Sequence, residues 1–141
     1  MPSADLVLLD THSWVWLSFG ELAAFRRGSA EAIGRAGAHA RLRLAAISVW
    51  EVGVLVAKGR IQLGVPLAEW VRRALAAPGL TLCELTPEVA VEANSLPGSF
   101  HGDPADRMII ATARVSGATL YTKDRAILAY ARQGHVSAAA L

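Results

Sequence analysis

The sequence has little cysteine, little charge and no long hydrophobic run. Cys83 is the only cysteine among 141 residues, so neither a disulfide framework nor a thiolate zinc site can form within the chain. No stretch approaches the roughly 18 uncharged apolar residues that a membrane span needs. The N-terminus also lacks the basic segment and apolar run of a signal peptide. These absences predict a cytoplasmic location and no membrane partner.

The composition is that of a folded domain. Hydrophobic residues make up 53% of the chain and charged residues 18%, which excludes an intrinsically disordered protein. A length of 141 residues is enough for one domain with its own core, so residues 1–141 are expected to form a single domain. The net charge of +2 permits a nucleic-acid partner without requiring one.

Short apolar runs alternate with helix-like segments along the chain. Strands are predicted at residues 6–9, 42–47, 80–85 and 118–121, with a small fifth strand at 135–137. Helices are predicted at residues 13–19, 48–58, 67–76, 86–95, 103–116 and 123–133, and one or two helices at residues 21–40. Strands that alternate with helices form a parallel sheet covered on both faces. The sequence therefore predicts an α/β fold of three layers, α/β/α, around a central parallel sheet of four to five strands.

Four acidic residues stand where the chain is expected to change direction. Asp10 ends the first strand, Glu51 lies one helical turn past the second, Asp106 begins the helix before the fourth, and Asp124 follows that strand. In parallel sheets the carboxyl ends of the strands share one edge, where ligands bind. Carboxylates gathered there repel one another unless a cation neutralises them. Oxygen ligands of this kind suit Mg²⁺ or Mn²⁺.

Helix capping is the alternative explanation for most of these acids. Ser48 and Glu51 have the spacing of a capping box. Asp103 fits an N-cap, which places Asp106 in the first turn of its helix, and Asp124 fits the first turn of the next one. Asp10 is the least well explained by capping, because a carboxylate at the end of a buried strand is costly to desolvate unless something binds it.

The ordered set of motifs resembles that of PIN-domain proteins, of the VapC toxin type found in type II toxin–antitoxin pairs of bacteria. The matching segments are residues 8–12, 47–52, 96–97, 101–111 and 122–124. Their order and spacing agree from about residue 6 to residue 130. The resemblance implies a PIN-like fold and an Mg²⁺-dependent endoribonuclease that cleaves RNA phosphodiester bonds, leaving 5′-phosphate and 3′-hydroxyl ends.

The resemblance also implies a role for each acid. Asp10 and Asp106 would bind the tightest metal directly, and Glu51 would act through water or orient the attacking water. Asp124 could hold a second metal, and Asp103 would be an adjunct. Asp10→Asn is expected to abolish cleavage and to leave the metal-free fold intact or more stable, because it removes one repelling charge.

Five further side chains are candidates for auxiliary roles. They are Thr11, Ser48, Thr122, Arg107 and His101. The three hydroxyls could hydrogen-bond the acids or the phosphate, or could serve in caps and turns. Arg107 could contact an RNA phosphate or form an ion pair with Asp103. His101 could touch substrate or belong only to its glycine-rich loop.

A dense apolar segment follows the first acid: Trp14, Trp16, Leu17 and Phe19. Core packing is the default interpretation, and part of the segment could instead form a groove for a partner or a dimer surface. The resemblance implies a cognate antitoxin protein and a homodimer. In the family, the antitoxin tail covers such a groove and can place a basic residue among the acids.

Other classes of function remain possible on the sequence alone. A degenerate, receiver-like module would bind a cation without catalysis, but a receiver would normally pair two acids at the end of the first strand. A phosphotransferase of the haloacid dehalogenase type would need Asp-x-Asp there, and His12 occupies the second position. A PIN-domain nuclease of RNA processing, without a toxin role, fits the motifs as well as a toxin does.

Overall fold

The computed structural model describes residues 5–141. The strands are β1 (Val7–Leu9), β2 (Leu42–Ala45), β3 (Leu80–Cys83), β4 (Thr119–Thr122) and β5 (Ala138–Ala140). The helices are α1 (Thr11–Ser18), α2 (Arg27–Ala38), α3 (Ala46–Ala57), α4 (Leu67–Leu75), α5 (Pro87–Asn94), α6 (Pro104–Ser116) and α7 (Arg125–Arg132), with a 3-10 turn at Leu22–Ala24. Within this range no helix has the length and hydropathy that crossing a membrane requires.

The five strands form one parallel sheet in the order β3-β2-β1-β4-β5. Strand β1 lies at the centre, and its last residue Leu9 is in register with Leu44 of β2 and Tyr121 of β4. The chain therefore winds outwards from β1 in both directions. This places the strand-order reversal, where α/β folds bind ligands, at the carboxyl end of β1.

The core has two parts because side chains alternate along the strands. On one face, Val7 and Leu9 pack with Trp14 of α1 and with residues of α2 and α4. On the other face, Leu8 packs with Ile110 of α6 and with residues of α7, while α5 packs on the outside of α6 through a small cluster of its own. The predicted α/β class and three-layer arrangement are confirmed.

The ends of several predicted elements were wrong, and two of these differences affect the sheet and the site. The fifth strand is Ala138–Ala140, not 135–137, because pairing with β4 sets its position and an alanine run carries little strand propensity of its own. Strand β2 stops at Ala45, and α3 begins at once at Ala46 with no side-chain cap. Ser48 is consequently the third residue of the helix, so the predicted capping box with Glu51 does not form.

One backbone contact fixes α2 against the turn that leads into β3. Gly79 has a φ of +75°, and a Cβ atom there would lie 1.8 Å from the carbonyl oxygen of Gly37. Two polypeptide backbones thus meet with no room for a side chain between them. Only glycine satisfies both the conformation and the space at position 79.

Candidate metal centre

A cavity of about 600 Å³ opens at the carboxyl edge of the sheet. Its lining includes the four predicted acids and the predicted adjunct: Asp10, Glu51, Asp103, Asp106 and Asp124. The elements that bring them together are the end of β1, helix α3, the start of α6 and the end of β4. Residues far apart in sequence therefore share one concave, acidic site.

Asp10 is held by several donors of the protein itself. One carboxylate oxygen accepts hydrogen bonds from the backbone N–H of Ser13, at 2.8 Å, and from the Ser13 hydroxyl. The other accepts from the Thr122 hydroxyl at 2.5 Å. Both hydroxyl residues are fully buried. Asp10 is thus the N-cap of α1, and the capping explanation applies even to the acid it seemed to fit least.

Thr122 also links Asp10 to Asp124. Its hydroxyl oxygen accepts a hydrogen bond from the Asp124 backbone N–H at 2.9 Å. The Asp124 carboxylate caps α7 by accepting from the N–H of Ile127 at 3.0 Å. Asp124 therefore precedes the first turn that was expected to contain it. The end of β4 and the start of α7 are fixed relative to the end of β1.

Glu51 is oriented by a buried pair of hydroxyls. Thr11 Oγ1 lies 2.5 Å from Glu51 Oε1 and 2.9 Å from Ser48 Oγ. A hydroxyl donates only one proton and a carboxylate only accepts, so Thr11 donates to Glu51 and accepts from Ser48. Burial raises the pKa of Glu51, and the Thr11 hydrogen bond opposes this rise. The negative charge of Asp103 raises that pKa further, while His12 lowers it.

Asp103 and Asp106 lie together at the start of α6. Asp103 is the N-cap, as predicted, and accepts from the backbone N–H of Asp106 at 2.8 Å. Within residues 5–141 no hydrogen-bond donor reaches the Asp106 carboxylate itself. Burial, followed by the charges of Asp103, Asp124, Glu51 and Asp10, raises the pKa of Asp106 to about 7. This carboxylate has neighbours that repel it and none that neutralise it.

The closest grouping of acids comprises Glu51, Asp103 and Asp106. One oxygen from each lies within 4.8 Å of the others. An all-oxygen set of this size fits a hard divalent cation such as Mg²⁺ or Mn²⁺, and a cation would relieve the repulsion that raises the Asp106 pKa. Asp103, expected only as an adjunct, belongs to this trio, whereas Asp10 and Asp124 line the cavity beside it.

Two of the auxiliary candidates have other surroundings. Arg107 donates to the carbonyl oxygens of Ala93 at 3.0 Å and Phe100 at 2.8 Å. It therefore joins α5 and the following loop to α6, and the predicted ion pair with Asp103 is absent from the described part of the chain. His101 is exposed in that loop and does not line the cavity.

The apolar segment after Asp10 does not form one surface. Trp14 is only 1% exposed, and its indole N–H lies 3.4 Å from the Ala74 carbonyl oxygen, so it is core. Trp16 lines the acidic cavity, while Leu17 lines a separate apolar hollow beside α2. Phe19 is 41% exposed and packs edge-on against Trp70. Phe19 is thus the exposed member of the segment, and Trp16 is half-buried in the cavity wall.

Several residues around the cavity were missed by sequence reasoning. They are His12, Trp50, Lys58, Arg60 and Lys123. Lys123 is already engaged, since its ammonium lies 4.8 Å from the centre of the Trp16 ring and donates to the Ala24 carbonyl oxygen. The spacing of Lys58, seven residues after Glu51, was an available signal, because residues seven apart share one face of a helix.

Comparisons with known proteins agree with this architecture. The model of the PIN domain family matches residues 7–133. Ribonuclease VapC22 of Mycobacterium tuberculosis is 42% identical over 119 residues, which span 84% of this chain and 87% of the relative.

Two solved structures share the fold at low sequence identity. VapBC2 from Rickettsia felis, bound to a DNA fragment from its promoter, aligns with a TM-score of 0.70 and 15% identity over 96% of this chain and 98% of that one. DNA-bound VapBC from Salmonella typhimurium aligns with a TM-score of 0.67 and 14% identity over 97% and 98%. At these identities the likeness concerns the fold alone.

Proposed function

The chain belongs to the PIN-domain family, and on this premise we propose that it is a metal-dependent endoribonuclease and the toxin of a VapBC-like toxin–antitoxin pair. The observation that carries the proposal is the trio of Glu51, Asp103 and Asp106, with Asp10 and Asp124 in the same cavity. A relative at 42% identity that is named a ribonuclease supports RNA as the substrate. The proposed place of action is the cytoplasm.

The proposed cofactor is Mg²⁺ or Mn²⁺. When bound, such a metal lowers the pKa of a coordinated water and offsets charge on the phosphate. Asp106 and Asp103 would hold it through carboxylate oxygens, and Glu51 would act through a coordinated water. Asp10, whose orientation is fixed by Ser13 and Thr122, would complete the set, and Asp124 would serve a second metal.

The hydroxyl pair gives Glu51 a defined task in this proposal. Thr11 holds Oε1, which leaves Oε2 to accept a hydrogen bond from the attacking water. A fixed acceptor of this kind orients the water for attack on phosphorus. Neither histidine nor cysteine is required as a nucleophile.

The test is cleavage of a mixed RNA pool by the purified chain, free of antitoxin, with Mg²⁺ or Mn²⁺ against EDTA. Asp106→Asn removes the crowded carboxylate, and Asp5→Asn is the matched control because Asp5 is exposed and outside the cavity. We expect metal-dependent cutting that is lost in Asp106→Asn and retained in Asp5→Asn. Equal cutting by wild type and Asp106→Asn would contradict the proposed site.

The proposed partners are a cognate antitoxin protein and a second copy of the chain. From the apolar segment we assign to the antitoxin surface Trp16, which is half-buried in the cavity wall, and Phe19, which is exposed outside the cavity. Their replacement by alanine is expected to weaken the antitoxin complex while the fold persists. Titration of antitoxin against each variant measures this, and circular dichroism checks the fold. Unchanged affinity for the antitoxin in both variants would show that the antitoxin binds at another surface.

A further inference from the structure

Trp50 is exposed at the wall of the acidic cavity, and the reaction proposed above gives it no task. It directly precedes Glu51 on α3, lines the cavity and is 62% exposed. Tryptophan has a large apolar face and is well buried on average. An indole left in water beside the reactive centre therefore points to a ligand that covers it.

Two unpaired cations continue the same wall. Lys58 and Arg60 are exposed and line the cavity together with Val54 and Leu55. Lys58 lies two helical turns beyond Glu51, about 10 Å along α3. Neither cation forms an ion pair with any acid of residues 5–141. Helix α3 and the turn that follows it thus present, in order, an aromatic face, a carboxylate of the metal trio and two positive charges that form no ion pair within residues 5–141.

We infer that Trp50 stacks on an unpaired base of the RNA next to the scissile phosphate, and that Lys58 and Arg60 contact the neighbouring phosphates. The inference rests on the proposed nuclease function and names its substrate as a single strand at this position. Bases in a duplex are already stacked, whereas unpaired bases stack readily on aromatic side chains. Stacking is tolerant of base identity, so Trp50 acts as a positioning residue and not as a reader of sequence.

The charges favour RNA over a protein segment as the occupant. A strand whose scissile phosphate reaches the acids through a cation carries further phosphates across the cavity wall. Those phosphates would meet Lys58 and Arg60, while the attached base would meet Trp50. Phosphate contacts of this kind make binding depend on salt, which an apolar protein anchor would not.

The first measurement is the affinity for a fluorescently labelled, unstructured RNA of about ten nucleotides. Asp106→Asn serves as a non-cleaving background, and Trp50→Ala, Trp50→Tyr and Val91→Ala are compared within it. By the usual contribution of one stacked base, Trp50→Ala is expected to weaken binding roughly tenfold, while Trp50→Tyr stays within about threefold. Val91→Ala, which truncates an exposed apolar side chain outside the cavity, should bind like its background.

A second set of RNAs identifies the stacked base. Single abasic positions are introduced in turn, and each RNA is measured with Trp50 present and with Trp50→Ala. One abasic position should lower the RNA affinity about tenfold when Trp50 is present. The same abasic position should hardly change the affinity of Trp50→Ala, because that variant has already lost the stacking contact. Lys58→Ala should reduce the slope of log affinity against log salt by about 0.7.

The outcomes separate this inference from the proposed function. A wild-type chain that neither cleaves nor binds RNA with any metal defeats the proposed function. RNA cleavage with unchanged affinity, KM and abasic profile in Trp50→Ala defeats the stacking inference alone. Unchanged RNA binding together with a weakened antitoxin complex in that variant would assign Trp50 to the protein interface instead.

Discussion

The two halves of the acidic site are built in opposite ways. At the end of β1, Asp10 accepts hydrogen bonds from two buried hydroxyls and from the first turn of α1. At the end of β4, Asp124 accepts one from the first turn of α7. At the start of α6, Asp106 has no donor within residues 5–141, and its pKa rises to about 7. The carboxylates of the first half have their hydrogen bonds without a cation, whereas no positive charge within residues 5–141 lowers the pKa of Asp106.

This difference shows how a fold can stabilise a charged site before its metal arrives. Asp10 contributes to folding, because it caps a helix and satisfies two buried hydroxyls. Asp106 contributes little to folding without metal, because burial and like charges favour its protonated form. The repulsion at Asp106 is then relieved when a cation binds. From the sequence, Asp10→Asn was expected to leave the metal-free fold intact or more stable. The structure gives that expectation to a substitution of Asp106 instead, because Asp10 is a helix cap.

The largest expected effect is the difference in unfolding free energy between two variants of the metal-free protein, each of which has one acid of one half truncated to alanine. Asp10→Ala removes the N-cap and leaves the Thr122 hydroxyl without its acceptor, while the Ser13 hydroxyl keeps only the Tyr121 carbonyl oxygen. We therefore expect a loss of about 2–4 kcal/mol in unfolding free energy. Asp106→Ala should cost nothing or should stabilise slightly. Urea unfolding in EDTA measures both, and equal destabilisation by the two variants would erase the contrast between the halves.

The pH dependence of stability should follow Asp106. Its pKa is about 7 in the folded protein against 3.8 as the ordinary value. Between these values the folded state holds more protons than the unfolded state, so metal-free stability should fall as pH rises from about 4 to 7.

Urea midpoints in EDTA at several pH values across this window check the prediction, with Asp106→Asn as the comparison. The variant should show a flatter profile than wild type. Saturating Mg²⁺ should restore stability at the alkaline end, because metal binds the deprotonated carboxylate. A wild-type profile that rises with pH in EDTA would contradict the assigned crowding.

A smaller effect is expected when the hydroxyl pair beside Glu51 is broken. Thr11→Val keeps the shape and removes the donor to Glu51, so unfolding free energy should fall by about 1–2 kcal/mol. Cleavage should slow by about tenfold, as for other residues that orient a metal-site group. The pKa of Glu51 should also rise, because the Thr11 bond lowers it.

The pH–rate profile of Thr11→Val is therefore expected to shift its acidic limb to higher pH. Ser48→Ala, which leaves Thr11 in place, should shift it less. Rates measured from pH 5 to 9 distinguish orientation of Glu51 from a packing defect, since a packing defect would lower activity without moving the limb.

The smallest effects should come from the two exposed acids, Asp103 and Asp124. Asparagine caps helices about as well as aspartate, so neither substitution should alter the fold. Asp103→Asn should raise the Mg²⁺ concentration for half-maximal cleavage by about tenfold, within the range seen when a metal site loses a supporting group. Asp124→Asn should have less effect on this midpoint, because Asp124 lies outside the closest trio. If Asp124→Asn raised this Mg²⁺ midpoint more than Asp103→Asn does, the tighter cation would belong to the half of the site that contains Asp10 and Asp124.

The sequence predicted the sheet class and the gathering of acids because both depend on strong, local signals. Apolar runs that end in an acid, and helices that start with Asp-Pro, are visible in one dimension. The strand order around β1 then brings Asp10, Asp106 and Asp124 to one edge. The N-cap at Asp103 was also predictable, because proline follows it.

The features that the sequence did not predict depend on tertiary contacts. Ser48 has the spacing of a capping box, but β2 passes into α3 three residues earlier, and the hydroxyl turns inward to Thr11. Arg107 binds two carbonyl groups that only the folded loop presents. The exposure of Trp50 could not be read from an apolar helix in which Val52, two residues away, is fully buried.

The contact between Gly37 and Gly79 has a consequence for genetic selection. If the proposed toxin arrests growth when it is produced without antitoxin, random mutants that escape arrest should fall into two classes. Changes at Asp106 would leave normal amounts of an inert protein, because that side chain is not needed for folding. Any change at Gly79 instead forces a side chain into the carbonyl group of Gly37 and would deplete the protein from the cell. Immunoblots of surviving colonies would distinguish the two classes by the amount of protein. We expect escape mutations at position 79 to be as frequent as at an acid, although no catalytic group lies at position 79.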